Sequence, residues 1–258
     1  MPGTLLTTLQ DEIFIITINR PDKLNALNKQ VLQELDAAIE EVYTNEAIKA
    51  AIITGEGGKA FVAGADIAEF LEVNDDEGAA FAKRGQDIFF KIENAPKPIV
   101  AAVNGFALGG GCELAMACHF RLAGENAKFG QPEVNLGIIP GYGGTQRLTE
   151  LVGKGKAMEM MMSGAMIDAH EAKMLGLVNY VIPTEKLIEK TVELVKIIIS
   201  KSPAALTKII TAVNAVHNYS IDGFAEEIKL FGEVFASGDK KEGTTAFVEK
   251  RKPVFKGK

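Results

Sequence analysis

Cysteine and histidine are scarce in this chain of 258 residues. Its two cysteines, Cys112 and Cys118, are too few for a disulfide framework, and at i,i+6 on one helix they would point in different directions. That usage fits a reducing compartment, so the expected location is cytoplasmic. The three histidines, His119, His170 and His217, lie far apart and lack the His-x-x-x-His spacing that sets two ligands on one helix face. No metal is expected, and His119 reads as structural. No apolar run reaches the ~20 residues of a membrane span. The amino-terminal stretch also lacks a basic segment, apolar core and small-residue cleavage site in sequence. Basic residues are outnumbered 34 to 28, and a net charge of −6 argues against broad electrostatic capture of nucleic acid. They gather only at the end, in Lys250, Arg251, Lys252, Lys256 and Lys258.

Several nucleotide and nucleophile motifs are missing too. Gly58-Lys59-Ala60 has neither the Ser/Thr nor the upstream glycine of a Walker loop, since Ile53 stands at that upstream position. The glycines from Gly105 to Gly111 do not follow G-x-G-x-x-G, and Ser163-Gly164 lacks the glycine that opens a nucleophile elbow.

What is present is an ordinary globular composition, 47% hydrophobic and 24% charged, in a chain long enough to bury a core without staples. Ile13 to Ile18 is β-branched and aromatic and ends at Asn19-Arg20-Pro21-Asp22, a strand running into a turn. From Asn28 the period changes: Val31, Leu32, Leu35, Ala38, Ile39 and Val42 fall at helical spacing. Ala50 to Gly55 predicts a second strand, Gly78 to Glu93 a helix ending before Pro96, and Ile99 to Val103 another strand. Short strands follow around a turn at Gly124-Glu125-Asn126, and from Thr145 onward the pattern is mostly helical. Alternation of strand and helix stops near Pro183.

The candidate site is the stretch Val103 to Leu114, where an apolar run breaks into Gly109-Gly110-Gly111 and Glu113 follows within one helical turn. The first N–H groups of a helix have no intrahelical partner, and with the helix dipole behind them they can hold developing negative charge. Glu133 sits at a second turn rich in glycine and proline. Two carboxylates in a partly desolvated cleft can split their proton affinities and serve as acid and base. Spacing alone leaves the bland reading open, in which Glu113 only complements the helix dipole.

At these residues the chain resembles the enoyl-CoA hydratase (crotonase) family. The similarity is carried by Phe61-Val62-Ala63-Gly64-Ala65-Asp66-Ile67, by Asn104 through Ala115, by Phe129-Gly130-Gln131-Pro132-Glu133, and by Pro140 through Leu148. Asn19-Arg20-Pro21, Leu24 to Leu27 and Ala246 to Arg251 extend it over nearly the whole chain.

The resemblance implies an α/β fold, a crotonase-like spiral of repeated ββα units over residues 1–195, with a C-terminal helical trimerisation region over 196–258. It implies a hexamer built as a dimer of trimers. It makes the backbone N–H groups of Ala65 and Gly110 an oxyanion hole for an acyl-CoA thioester. Glu113 and Glu133 become the catalytic acid/base pair, their individual protons unassigned, and Gly141 offers its N–H to the water. Lys23, Ala63 and Ile67 resemble residues lining the CoA channel, and Phe247 and Lys250 resemble tail residues that reach a neighbouring subunit's ligand. For Lys250, a solvated helix end is an equal reading.

The implied activity is reversible hydration of a short- or medium-chain 2-enoyl-CoA, with coenzyme A as part of the substrate and no separate cofactor. Double-bond isomerisation on the same scaffold is an alternative, disfavoured by the presence of both glutamates. An RNA-binding relative using the basic tail is another, weakened by the overall charge. Two departures from the family pattern stand out: His119 replaces a common aspartate, and Tyr142 stands where a smaller residue or Phe is common.

Overall fold

A computed structural model describes residues 3–71, 73–218 and 220–257; Glu72, Lys258 and the side chain of His217 lie outside the described residues. The chain opens with a hairpin of β1 (Leu5–Gln10) and β2 (Ile13–Ile18), antiparallel from Leu5↔Ile18 to Gln10↔Ile13. Asp11 and Glu12, both at positive φ, form its two-residue turn. β1 was not expected from the sequence. It is an edge strand left mostly exposed, so burial imposes little apolar pattern on it.

α1 (Lys29–Thr44) begins where Asn28 caps it by accepting from the Val31 N–H at 2.9 Å. The same six apolar positions read from the sequence are its buried residues. It leads to β3 (Ala50–Gly55), which runs parallel to β2, so strand, helix and strand form one crossover unit. The next elements are β4 (Ala60–Val62), the short α2 (Ile67–Phe70), α3 (Gly78–Glu93), β5 (Ile99–Val103), β6 (Phe106–Leu108) and α4 (Gly110–Ala117). They are followed by β7 (Phe120–Gly124), β8 (Lys128–Gly130), α5 (Gly144–Val152), α6 (Lys154–Ser163), β9 (Met166–Asp168), α7 (Ala169–Met174) and β10 (Tyr180–Ile182). The chain closes with α8 (Leu187–Ile199), α9 (Pro203–Asn214), α10 (Gly223–Phe235) and α11 (Gly238–Val248).

The strands sort into a six-stranded sheet, β1-β2-β3-β5-β7-β10, and a four-stranded sheet, β4-β6-β8-β9. Within the large sheet every pairing after the opening hairpin is parallel. Each of the pairs β3/β4, β5/β6 and β7/β8 places its first strand in the large sheet and its second in the small one before the chain turns helical. Three such turns stacked on one another make the spiral of ββα units. The three-residue strands β4, β6, β9 and β10 are not expected from the sequence, because three residues are too few to show a period; β8, equally short, is marked by the Gly124-Glu125-Asn126 turn before it.

Both faces of the large sheet are covered, which is why β3 and β5 are buried throughout and, apart from Thr54, carry no polar side chain and do not alternate. One face sends Ile16, Ile18, Ala51, Ile53 and Val103 into the main core with α1, α3 and α4. The other sends Ile13, Ile52, Val100 and Leu122 against Leu187 and Val195 of α8. Residues 195 and 196 are both within α8, so that helix crosses the expected division and belongs by packing to the sheet. The spiral's consequence for function lies at the ends of β4, β6 and β8, where three segments distant in sequence meet.

Candidate active site

Glu113 occupies the first turn of α4 and is buried. Its Oε1 accepts two backbone N–H groups, from Tyr142 at 2.8 Å and Gly144 at 2.7 Å. Among the described residues no protein donor reaches Oε2. Burial raises the Glu113 pKa to about 7; the two amides and Arg147 act against that rise, and Glu133 adds to it. At neutral pH this carboxyl can both give and take a proton, as acid–base work requires.

Glu133 lies in the 3-10 turn Pro132–Leu136, directly after β8. Burial raises its pKa too. The buried Gln131 amide has one terminal atom 3.0 and 3.1 Å from the two Glu133 oxygens; with that atom assigned as the nitrogen, the orientation that gives both groups a partner, it donates to both and favours the ionised form against that burial. Glu133 Oε1 rests over the backbone of Gly109, where a Cβ would come within 2.7 Å of it. Gly144 closes the gap between the two glutamates' supports: a Cβ there would meet Glu113 Oε1 at 2.9 Å and the Gln131 amide at 2.7 Å. The structure therefore brings the two expected carboxylates to one place.

Ala65 and Gly110 share a local construction. Each follows a glycine at positive φ, Gly64 at 118° and Gly109 at 51°, conformations that side chains with a Cβ rarely adopt. Ala65 pairs in parallel with Leu27, but the bonds run from Leu27 N–H to Gly64 O and from Asp66 N–H to Leu27 O. The N–H of Ala65 itself points away from that segment. Gly110 is the first residue of α4, where no intrahelical acceptor exists. Among the described residues neither N–H donates to a protein acceptor. The two segments abut, since a Cβ on Gly64 would touch Leu108 O at 3.7 Å.

Around this centre, Lys23, Ala63 and Ile67 come together on one rim. Ala63 N–H donates to Leu24 O at 3.1 Å beside Lys23, and Arg20 pairs with Asp66 at 2.8 Å next to Ile67. Gly141 has its carbonyl held by Gln86 Nε2 from α3 at 2.9 Å. Phe247 lies in the last turn of α11, largely exposed, and Lys250 just beyond it, and no hydrogen bond or ion pair among the described residues joins either to the carboxylates.

The two departures have structural explanations. His119 Nδ1 accepts from Ile99 N–H at 2.8 Å, so its Nε2 carries the proton and donates to Glu93 O at 3.1 Å. Burial lowers its pKa to about 4, leaving it neutral and structural, as read from the sequence. Tyr142 is buried, edge-on to Phe89 at 5.5 Å and stacked on Phe81 at 6.0 Å, with its ring 3.4 Å from where a Cβ of Gly110 would be.

Two further residues of the site went unread in the sequence: Gln131, which binds Glu133, and Arg147, whose Nη1 donates to Tyr142 O at 3.0 Å. Gln131 lies within a quoted motif beside Glu133, so its adjacency was the available signal. Arg147 lies within the Pro140–Leu148 motif, but nothing local points to its pairing, because its partner Glu93 is 54 residues away.

A buried carboxylate with a half-buried second one nearby, beside two backbone amides that have no protein acceptor among the described residues, fits the class of enzyme sites that work on an acyl or enolate group. Comparison with known proteins agrees. The sequence model of the enoyl-CoA hydratase/isomerase family matches residues 8–258. The chain is 47% identical over 244 residues to a short-chain-enoyl-CoA hydratase of Clostridium acetobutylicum, covering 94% of each. It is 48% identical over 247 residues to a crotonyl-CoA hydratase of Syntrophomonas wolfei, covering 95% of each. Its fold superposes on the crystal structure of an enoyl-CoA hydratase from Bacillus anthracis with a TM-score of 0.93, at 36% identity, over 99% of this chain and all of that one. This chain belongs to the enoyl-CoA hydratase/isomerase family.

Proposed function

We propose that the chain is a hydro-lyase that adds water across the 2,3 double bond of a short- or medium-chain 2-enoyl-CoA, giving the 3-hydroxyacyl-CoA, and removes it in reverse. The observation that carries this reading is the pairing of Glu113 and Glu133 next to the unpartnered N–H groups of Ala65 and Gly110. The thioester oxygen accepts from those two amides, which draws electron density from the conjugated chain and makes Cβ electrophilic. A water held between the carboxylates gives a proton to one of them as its oxygen bonds to Cβ. The resulting enolate takes a proton at Cα from the other carboxyl, so the elements of one water are added. Oε2 of Glu113 is the oxygen suited to exchange a proton, because Oε1 is committed to two amides. Gly141, its peptide fixed through Gln86, directs its N–H toward the water in this scheme. Hydration moves no electrons to an acceptor, so it needs no redox cofactor; in this scheme the two amides polarise the thioester and the carboxylates activate the water, the roles a Lewis-acid metal would otherwise fill, and coenzyme A enters with the substrate.

Lys23, Ala63 and Ile67 form the rim for the CoA moiety in this proposal, and Phe247 and Lys250 serve a neighbouring subunit's ligand. The names of the two relatives support the short end of the chain-length range, as does the Tyr142 ring packed beside Gly110. A homo-oligomer, a hexamer as a dimer of trimers, is supported by apolar residues left exposed on the last helices. Phe224, Ile228, Phe231 and Phe235 fall at i, i+4, i+7 and i+11 along α10, the spacing of a packing seam, and Ile209 and Val213 on α9 are exposed beside them. Free buried thiols at Cys112 and Cys118 suit a cytoplasmic location, and no described helix is long and apolar enough to cross a membrane. A nucleic-acid role for the tail draws little support, because Arg251 is committed to ion pairs with Glu242 and Glu249.

The test is loss of the conjugated enoyl-thioester absorbance when purified protein meets crotonyl-CoA. Glu113→Gln and Glu133→Gln each reduce kcat by about 100- to 10,000-fold while remaining folded. Absence of turnover by the unaltered chain, or full rate in both variants, overturns the reading.

A further inference from the structure

Glu113 is held by two amides, and the turn that presents them is itself gripped from behind. Arg147, on α5, is buried, and its guanidinium divides its donors between two partners. Nη1 donates to Tyr142 O at 3.0 Å, while Nε and Nη2 form a bidentate pair with Glu93 Oε1 at 3.2 Å and Oε2 at 2.8 Å. The same guanidinium lies 5.1 Å over the Phe90 ring. Tyr142 is thereby fixed on both sides: its carbonyl by Arg147, its N–H by Glu113.

Glu93 is well anchored for this task. It is the last residue of α3, and its own carbonyl accepts from His119 Nε2 at 3.1 Å and from Asn214 Nδ2 of α9 at 2.7 Å. His119 and Asn214 thus fix the backbone of the residue whose carboxylate holds Arg147. A bidentate guanidinium–carboxylate pair specifies direction as well as distance, which a lysine could not reproduce.

We propose that Arg147, braced by Glu93, is a positioning residue for the hydration: it holds the Tyr142–Gly144 turn so that two N–H groups converge on Glu113 Oε1 and leave Oε2 to the reacting water. The inference rests on the hydratase reading for its kinetic consequences, though the geometry it concerns does not. A purely structural ion pair would lower stability when removed and leave the chemistry of the folded molecule unchanged. A positioning pair alters Glu113 itself. That carboxyl is faced by Glu133 from the 132–136 turn, by Arg147 from α5, by the Tyr142 phenol, and by the Cys112 thiol on its own helix. Of these groups Arg147 is the one cation, so loosening the turn and removing that cation both favour the protonated carboxyl. Glu113 then titrates at higher pH whichever proton it carries in the reaction.

The experiment compares full-length Arg147→Gln, Arg147→Lys and Glu93→Gln with the unaltered chain. It uses crotonyl-CoA kinetics and an isotope-edited infrared titration of the Glu113 carboxyl, assigned by its disappearance in Glu113→Gln. Expected for Arg147→Gln are a kcat lower by about 100-fold, the scale of a small misplacement of a reacting group, a KM within about threefold of the original on the same grounds, and a Glu113 midpoint moved upward. Arg147→Lys recovers part of the rate, and Glu93→Gln falls between. Folded Arg147→Gln with the original kcat and midpoint overturns the proposal. Should that variant not fold, Arg147→Lys and Glu93→Gln decide it, and original rates in both overturn it. Failure of the hydratase reading is a separate result: the unaltered chain does not turn over crotonyl-CoA, while the Glu113 midpoint still responds to Arg147.

Discussion

Glu133 Oε1 occupies the space that a side chain on Gly109 would take, with a Cβ there coming within 2.7 Å of the carboxylate. One proposed acid–base group is thus seated on bare backbone, one residue before the N–H of Gly110. The carboxylate and the amide cannot be altered independently.

Gly109→Ala tests this seat. The new methyl displaces Glu133, and its backbone must keep φ at 51° with ψ at −124°, a region outside the left-handed helix that residues with a Cβ adopt only at a cost of about 1–3 kcal/mol. Urea melts should show that loss, and crotonyl-CoA turnover should fall in the folded fraction. Gly58→Ala is the control: nothing lies within 4 Å of its Cβ position, so it stays within about 0.5 kcal/mol and keeps its activity.

Glu113→Gln should stabilise the protein at alkaline pH while disabling it. The folded pKa of about 7 stands above the ordinary 4.5, so the folded state binds the proton more tightly than the unfolded state. Stability from this group is complete below about pH 4.5 and is lost as pH rises through about 7. By pH 8 the buried ionised form costs on the order of 3 kcal/mol. Gln keeps an oxygen for the two amides and carries no charge. Melting curves from pH 5 to 9 should therefore decline less steeply for the variant, and equal slopes would count against the raised proton affinity.

Lys250 closes α11 in a left-handed conformation at φ 54°, where Arg251 N–H reaches Ala246 O and Lys250 N–H reaches Phe247 O. That is the hydrogen-bond pattern of a glycine-favouring helix cap. Lys250→Gly should gain about 1 kcal/mol of stability. If the ammonium serves a ligand, the same variant binds CoA thioesters more weakly. Thermal melts and calorimetric titration with an acyl-CoA separate the two effects, and unchanged affinity would return Lys250 to a solvated helix end.

Tyr142→Ala should widen the acyl preference. Its ring packs against Gly110 together with Phe81 and Phe89, and removing it opens apolar space beside the expected carbonyl site. Each methylene accommodated in an apolar pocket is worth about 1–3 kcal/mol. The ratio of kcat/KM for octenoyl-CoA over crotonyl-CoA should rise at least about tenfold by the same measure. A ratio that stays put would make the ring a packing element only.

Much of this was legible before any coordinates. The α1 stripe and the α3 span follow from helical periodicity, and β2, β3 and β5 from continuous β-branched and apolar runs bounded by turn residues, which burial on both faces of the sheet requires. The edge strand β1 and the three-residue strands β4, β6 and β9 of the small sheet left no such trace, whereas β8 was marked by the turn before it. Glu113 and Glu133 were visible as acids at glycine-rich turns, and family resemblance gave the turns their meaning.

The amino-acid sequence by itself determined the opening strand-helix-strand unit, the two glutamates, and the glycines that permit positive φ before Ala65 and Gly110, since these depend on local conformational preference. Only the tertiary structure decided that Glu113 Oε1 is held by amides 29 and 31 positions downstream, that Gln131 binds Glu133, and that Arg147 grips Tyr142 and Glu93 together. Hydrogen bonds between a side chain and distant backbone have no period and no spacing rule. They exist because the spiral stacks the ends of β4, β6 and β8, and that stacking is a property of the packed core.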